Sequence, residues 1–376
     1  MLTAYMVLSF YNFLDALAPR RAVKARNHER SELTSIFTSA LTSEENKSRD
    51  MTVKEVFDLR KQGRVEEAYE AIRPMYAVHQ GKYTTLCMFW TASDILKKRI
   101  KEKRFEEAGK ILKALLRILP NIEDRDGKAQ GSILHAAVTL GKEDRNFSVL
   151  DFVEQLKVER LSDEDWKTTN TPTTPVSPGH PIPSVAMQLL TCAFREIQEQ
   201  RDGSFMAKTQ PLPHDEVLAS CLKVMPLLQE AVRRNPHDRR GQRYMAVVYT
   251  IMGEREKAAD IYQKLLRRSR DSYLYAELAG LTDDPGRKAA LYCAAIQNQR
   301  QEKFRGGYRL ELARLLLDRD NARAAYELQK LVETRKALGY HITHDIEEML
   351  CKLAGIQPVT EASQQEFYRK MIERKL

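Results

Sequence analysis

Residues 245–266 read MAVVYTIMGEREKAADIYQKLL, and this stretch has the pattern of two short helices joined by a tight turn. Apolar residues recur every three or four positions on both sides of Gly253, as expected for two amphipathic helices. Gly253 favours the end of the first helix, and the glutamates that follow favour the positive start of the second. Ala258 is small enough for a close helix crossing, and Tyr262 supplies bulk one turn later. The stretch therefore predicts a helical hairpin.

The same pattern occurs twice more near the start of the chain. GRVEEA begins at Gly63 and ends at Ala68. KRFEEA ends at Ala108, and Pro120 follows where the second helix of such a hairpin would end. Three copies of one hairpin predict a repeat protein in which each unit packs on its neighbours.

This hairpin resembles the tetratricopeptide repeat. Weaker copies contain Ala289 and Ala324, and the spacing between the equivalent alanines is uneven. Between the second and third strong copies, apolar periodicity predicts further helices near 128–141, 146–158, 184–200 and 214–234. We therefore expect an all-α fold, an irregular TPR-like α-α solenoid of stacked helical hairpins.

The order of short motifs resembles, more specifically, the TPR-like region of proteins from bacterial TOTE conflict systems. The resemblance spans about residues 51–350 and involves VFDLRKQG at 56–63, DWK at 165–167, IPSVA at 182–186, RRS at 267–269, DDP at 283–285 and RLELA at 309–313. It implies a setting in bacterial defence. In larger members of that family the helical region is joined to a cold-shock-like domain that binds oligonucleotides. Residues 357–376 predict one more helix, so we expect this chain to lack that domain and its nucleic-acid role.

Composition divides the chain into four parts. Residues 1–50 form an N-terminal extension that is either the product of an upstream start codon, with Met51 as the biological start, or an amphipathic segment docked on the first helices. Helical periodicity begins at Met51. The stretch at 168–183 holds five of the 14 prolines, which excludes a helix. We therefore predict helical halves at 51–162 and 184–376, separated by a Pro/Thr-rich loop or hinge at 163–183.

Composition and missing motifs restrict the function. No run of about 18 apolar residues is present, so we expect no membrane association. The five cysteines are irregularly spaced without a Cys-x-x-Cys pair, which favours buried, reduced thiols in a cytoplasmic protein. The common phosphate-loop, dinucleotide, nucleophile and zinc-protease motifs are missing, so we expect neither an enzyme nor a cofactor. A zinc site at His341 and His344 stays open, but a helix start leading into Asp345 explains this pair better.

The hairpin at 245–266 supplies candidate contacts for a partner, because the first helix of such hairpins lines a groove. The outward positions that we predict are Arg240, Arg243, Tyr244, Val247 and Ile251. Two arginines one turn apart can hold a peptide carboxylate or a phosphate, although a solvated basic face with the tyrosine partly packed is the alternative. We predict a non-catalytic protein–protein interaction scaffold that accepts an acidic or carboxyl-terminated segment of another protein.

Basic residues concentrate in two regions, 97–104 and 233–270. Those assigned to a candidate basic surface are Arg233, Arg234, Arg239, Arg267, Arg268, Arg270, Lys97 and Lys98. Such clusters bind nucleic-acid backbone without sequence preference, or they are helix ends whose charge opposes the helix dipole. The second explanation fits 97–104, and few aromatic residues accompany 233–270, so nucleic-acid binding is the alternative function. Trp90 lies in an apolar helix, which predicts core packing.

Overall fold

The computed structural model describes residues 51–124, 126–170, 181–203 and 210–376, so the N-terminal extension at 1–50 lies outside the described residues. The chain forms two compact units. Unit 1 contains residues up to Ser148 and Gln155–Val185, and unit 2 contains Val149–Glu154 and Ala186–Leu376. Within the described residues, no helix is both long and apolar enough to cross a membrane.

Unit 1 is built from helices that pack as consecutive hairpins. Their bounds are α1 (Val53–Lys61), α2 (Val65–Val78), α3 (Lys82–Lys101), α4 (Phe105–Ile118) and α5 (Lys128–Glu143). Helix α1 packs on α2, α3 packs on α4, and α3 also contacts α1 and α5. Short 3-10 turns follow at Leu119–Asn121, Val158–Arg160 and Asp163–Trp166. Two short antiparallel strands, β1 (Thr169–Asn170) and β2 (Pro181–Ile182), pair at the ends of the proline-rich stretch.

Unit 2 contains the remaining helices and three further hairpins. Its helices are α6 (Val149–Gln155), α7 (Val185–Asp202), α8 (His214–Arg234), α9 (Arg239–Ile251), α10 (Arg255–Leu266), α11 (Ser272–Gly280), α12 (Pro285–Asn298), α13 (Gly306–Leu316), α14 (Asn321–Ala337), α15 (His344–Lys352) and α16 (Glu361–Lys375), with a 3-10 turn at Glu302–Phe304. The hairpins are α9–α10, α11–α12 and α13–α14, and α16 packs back on α12. The predicted all-α fold of stacked, TPR-like hairpins is confirmed.

The hairpin turns form for the reason that the sequence suggested. Gly63 and Gly253 adopt left-handed φ angles of +79° and +78°, which a glycine reaches without steric cost. Lys103 adopts the same conformation in the turn between α3 and α4, with φ +58°. A side chain in this region is strained, so the second hairpin carries a local cost that the other two avoid.

Small alanines lie at the helix crossings. Ala68, Ala108 and Ala258 are completely buried, as is Ala324 in α14. Tyr262 is 1% exposed, and it fills the space between α10 and its neighbours. Pro120 lies in the 3-10 turn that directly follows α4. These positions confirm the hairpin register that was predicted from the repeat.

The last helix of unit 2 is held by a buried polar cluster. The Glu327 carboxylate accepts hydrogen bonds from Arg309 Nη1 at 2.6 Å, from Gln364 Nε2 at 2.6 Å and from the Tyr368 hydroxyl. Glu327, Gln364 and Tyr368 are completely buried, and Arg309 is 4% exposed. Burial raises the pKa of Glu327, while Arg309 and the two neutral donors oppose that shift. The cluster joins α13, α14 and α16 through one carboxylate.

The cysteines are free thiols. Four of them are buried, and Cys351 is exposed. This distribution agrees with the prediction of reduced, mostly buried cysteines.

Candidate partner-binding groove

A groove of about 710 Å³ lies in unit 1 between α3 and α5. We call it the lysine groove. Its walls are formed by Trp90, Lys97, Ile100, Lys101, Lys128, Gly131, Ser132, His135, Ala136 and Thr139. Helix α3 is the first helix of its hairpin, which is the position expected to line a groove, and α5 packs beside α3 and α4.

Helical spacing explains why these residues meet. In α3, Trp90, Lys97 and Lys101 follow one another at seven and four residues, so they share one face of the helix. In α5, Lys128 and His135 are two turns apart, and the other residues of this helix that line the groove, Gly131, Ser132, Ala136 and Thr139, are small. A face of small side chains leaves room for another polypeptide to approach the α5 backbone.

The aromatic floor of the lysine groove is fixed by its neighbours. Trp90 is half-buried and packs edge-on against Phe89, with ring centroids 5.3 Å apart and planes at 88°. The Arg60 guanidinium lies 5.8 Å from the Trp90 ring centroid, and an ion pair with Asp94 holds this arginine in place. Trp90 therefore offers part of a rigid apolar surface to the groove.

The rim of the lysine groove is positively charged. Lys97 lies 4.0 Å from Asp94, Lys128 lies 3.1 Å from Asp126, and Lys101 has no ion-pair partner in the part of the chain that the structure describes. No acidic residue is among those that line the groove. Three ammonium groups around an apolar floor favour a ligand that carries both carboxylates and an apolar side chain.

The predicted contact row on α9 is mostly inside the protein. Tyr244, Val247 and Ile251 are 7%, 6% and 9% exposed. The Tyr244 ring stacks on the Phe194 ring of α7, with the two centroids 4.0 Å apart. The expectation that these three residues face outward is therefore wrong.

The two arginines of that row differ from each other. Arg243 donates to Glu277 in the next hairpin at 2.5 Å, and its guanidinium lies 4.6 Å from the Tyr273 ring centroid. These contacts already use its planar fork of donors. Arg240 is exposed and has no ion-pair partner among the described residues.

Part of the predicted basic surface is neutralised within the protein. Arg233 and Arg234 both donate to Glu230, and they lower the pKa of that carboxyl to about 2. Lys98 lies 3.0 Å from Glu66, and Arg239 lies 3.5 Å from Asp271.

The remaining members of the basic surface stay open. Arg268 contacts the ring nitrogen of His237 at 3.1 Å, so it has no acidic partner among the described residues. Arg267 and Arg270 are exposed, and neither has an acidic partner among the described residues. Lys97 lines the lysine groove in unit 1. The structure thus separates residues that the sequence grouped by charge alone.

Sequence reasoning missed the main features of the lysine groove. Trp90 was predicted to be a core residue, but it is only half-buried and lines the groove. Lys101 belongs to the basic region 97–104 but was not assigned to the basic surface, and Lys128 and His135 were not singled out. The available signal was the shared helical face of Trp90, Lys97 and Lys101, which the interpretation of 97–104 as a helix end obscured.

Comparison with known proteins finds one family match over part of the chain and structures of low sequence identity. The family described as domain of unknown function DUF7017 matches residues 242–374, about a third of the chain, from α9 to α16. A tetratricopeptide repeat protein from Parabacteroides merdae ATCC 43184 is 13% identical, with coverage of 80% of this chain and 96% of that one and a TM-score of 0.36. The structure of Naa15/Naa10 bound to HypK-THB is 11% identical, with coverage of 92% and 57% and a TM-score of 0.25. No curated protein sequence matches the chain.

Proposed function

We propose that this chain is a non-catalytic protein–protein interaction scaffold, and that the lysine groove binds an acidic segment of another protein. The observation that carries the proposal is the groove itself: three lysines and no acidic residue surround an apolar floor that includes Trp90. Helix α3 packs against both α4 and α5, which holds the two groove-forming helices in place, so the ligand pays most of the ordering cost. The expected ligand is an extended segment with two or three carboxylates and one aromatic or aliphatic anchor.

The groove sets the expected affinity. Exposed ion pairs each contribute on the order of 0.2–1 kcal/mol, so three lysines alone give weak binding. An anchor that covers Trp90 adds apolar burial at roughly 25 cal/mol per Å². Together these terms support a dissociation constant in the micromolar range, with a strong dependence on salt.

We further propose a cytoplasmic setting in a bacterial conflict system. The support for it is the order of motifs shared with TOTE proteins, from VFDLRKQG at 56–63 to RLELA at 309–313. The partner would then be another protein of the same system. Its acidic segment is the feature by which the lysine groove would recognise it.

A peptide selection tests the groove directly. Displayed twelve-residue random peptides would be selected on the full chain and sequenced, and we expect enrichment of Asp and Glu beside an aromatic or aliphatic residue. Selected peptides would then be titrated against a Trp166→Phe background, in which Trp90 is the one remaining tryptophan. Its fluorescence should change on binding, since the ring lies in the groove.

Charge reversal provides the control. The double variant Lys97→Glu/Lys101→Glu should weaken peptide binding at least tenfold. Lys110→Glu/Lys113→Glu makes the same charge change on the exposed side of α4 and should alter the dissociation constant less than twofold. Equal effects of the two variants, or selection of neutral or basic peptides, would contradict the assignment of the groove.

A further inference from the structure

Four connections of unit 2 follow one another along one end of its hairpins. We call them the loop edge, and they comprise residues 235–240, 267–273, 299–305 and 335–343. The first two are joined by contacts from Arg268 to His237 at 3.1 Å and from Arg239 to Asp271 at 3.5 Å. The connections at 235–240 and 267–273 therefore form one continuous surface.

The other two connections extend the same surface. Gln299 Nε2 donates to Ser272 Oγ at 3.1 Å, which places the third connection beside the second. Lys303 and Tyr340 line one cleft of about 180 Å³, which places the fourth beside the third. The loop edge thus runs without interruption across the three hairpins of unit 2.

The loop edge is strongly basic, and its acidic side chains are already occupied. Ten arginines and lysines lie in these four connections against three acidic residues. Asp238 accepts from the backbone N–H of Gly241 at 2.8 Å, and Asp271 accepts from Ser269. Glu302 accepts from Arg305 and Arg309 at 2.7 and 2.8 Å.

Several arginines of the loop edge keep their donors free. Arg240, Arg267, Arg270 and Arg300 are exposed, and none of them has an acidic partner in the described ranges. Each guanidinium offers a planar fork of donors that matches a phosphate. The loop edge therefore presents separate phosphate-sized sites along one surface.

Exposed aromatic rings accompany these arginines on three of the four connections. Tyr273, Phe304 and Tyr340 are 38%, 55% and 60% exposed. Two of them lie beside cations: Lys303 Nζ is 4.9 Å from the Phe304 centroid, and the Arg243 guanidinium is 4.6 Å from that of Tyr273. The exposed parts of these rings can stack on flat ligand groups.

We propose that the loop edge binds single-stranded nucleic acid, as a function separate from that of the lysine groove. The free guanidinium groups contact backbone phosphates, and the rings of Tyr273, Phe304 and Tyr340 stack on unpaired bases. An acidic protein segment would use the arginines but has no need of the exposed aromatic rings. A duplex presents phosphates but keeps its base faces stacked inside the helix. The combination on this surface therefore matches a single strand best.

Fluorescence anisotropy of the full chain with labelled 20-nucleotide oligo-uridine and oligo-thymidine tests this. At low salt we expect binding in the micromolar range, with at least tenfold weaker binding of a duplex of equal length. Arg240→Glu/Arg267→Glu/Arg270→Glu should weaken single-strand binding at least tenfold. The slope of log affinity against log salt should fall by about 2, since each lost phosphate contact accounts for roughly 0.7.

Two further variants separate this proposal from non-specific attraction. Arg319→Glu/Lys352→Glu/Arg374→Glu makes the same charge change at exposed positions outside the loop edge, and it should change affinity less than threefold. Phe304→Ala/Tyr340→Ala should weaken binding about tenfold while leaving the salt slope unchanged. Helical content by circular dichroism must remain that of the wild type in each case.

Three outcomes would overturn the proposal. One is no detectable binding of either oligonucleotide at 50 mM salt, and another is equal affinity for duplex and single strand. The third is equal weakening by the loop-edge variant and its charge-matched control. If polyglutamate competes fully and the aromatic variant binds like the wild type, the surface takes acidic protein instead.

Discussion

Replacing Glu327 by glutamine should destabilise unit 2 by about 3 kcal/mol. The carboxylate uses one oxygen for Arg309 and the other for both Gln364 and Tyr368. The amide of glutamine has only one accepting oxygen. Its NH₂ group would therefore face either the Arg309 guanidinium or the two donors Gln364 and Tyr368. The buried guanidinium then keeps Glu302 as its one carboxylate, at 2.8 Å, which places the loss at the lower end of the 3–5 kcal/mol typical of a broken buried pair.

The double-mutant cycle with Arg309→Met isolates the ion pair. Removing the arginine alone leaves a buried carboxylate without its cation, so this variant should also lose several kcal/mol. With Glu327→Gln in the same chain neither charge remains, and the combined loss should be smaller than the sum by at least about 2 kcal/mol. Additive losses would refute the view that these two charges depend on each other.

Urea unfolding measures the effect and assigns it to a unit. Trp90 and Trp166 both lie in unit 1, so tryptophan fluorescence follows that unit, while circular dichroism follows the helices of both. A loss of 3 kcal/mol lowers the midpoint by about 1 M for a slope of about 3 kcal/mol/M. The circular dichroism transition should show this shift. A change of less than 1 kcal/mol, or a shift confined to the fluorescence transition, would show that the cluster does not hold unit 2 together.

Three further predictions concern the hairpins. Ala258→Phe should cost about 1–3 kcal/mol in urea unfolding, because the alanine is completely buried at a helix crossing; an unchanged midpoint would contradict the hairpin register. Lys103→Gly should stabilise unit 1 by about 1 kcal/mol, because it relieves a left-handed side chain at φ +58°. Gly253→Ala should destabilise unit 2 by a similar amount. If both variants changed the free energy of unfolding in the same direction, turn strain would not be the cause.

Local sequence was sufficient to predict the hairpins. Helix α5 was expected at 128–141 and extends over Lys128–Glu143, and α8 was expected and found at 214–234. The helix expected at 146–158 is shorter, because its regular part covers only Val149–Gln155. Turn chemistry and apolar spacing act over a few residues, so a single sequence contains the information that these elements need.

The exposure of individual side chains was much harder to predict. Tyr244, Val247 and Ile251 share a helical face that a repeat array would leave open, but all three are buried, and Phe194 of α7 stacks on Tyr244. Nothing within α9 indicates that another helix will pack there. Trp90 shows the converse, because its apolar neighbours suggested a core position while the groove between α3 and α5 leaves it half-buried. Surfaces depend on how non-neighbouring helices pack, and local periodicity does not report that.

The ion pairs, however, contain a longer-range signal that follows from the repeat. Arg60 and Asp94 are 34 residues apart, and Arg99 and Glu66 are 33 apart. In unit 2, Arg243 and Glu277 are again 34 apart. Opposite charges at this separation can face each other because consecutive hairpins pack side by side, although equivalent repeat positions are 40 residues apart in unit 1 and 31 apart between the first two hairpins of unit 2.

This separation identifies candidate pairs, but it does not decide which cations are engaged: Asp271 lies 31 residues after Arg240 and Glu302 lies 32 after Arg270, yet both arginines lack an acidic partner among the described residues. Applied to the sequence, it would have paired Arg243 with Glu277 and removed it from the predicted groove. Arg267 has no acidic residue 31–34 positions away in either direction, and the structure leaves it exposed without an acidic partner among the described residues. A basic residue that lacks an acidic residue at this separation, such as Arg267, is therefore a candidate for partner binding, whereas for one that has such a residue only the structure decides whether the two charges meet.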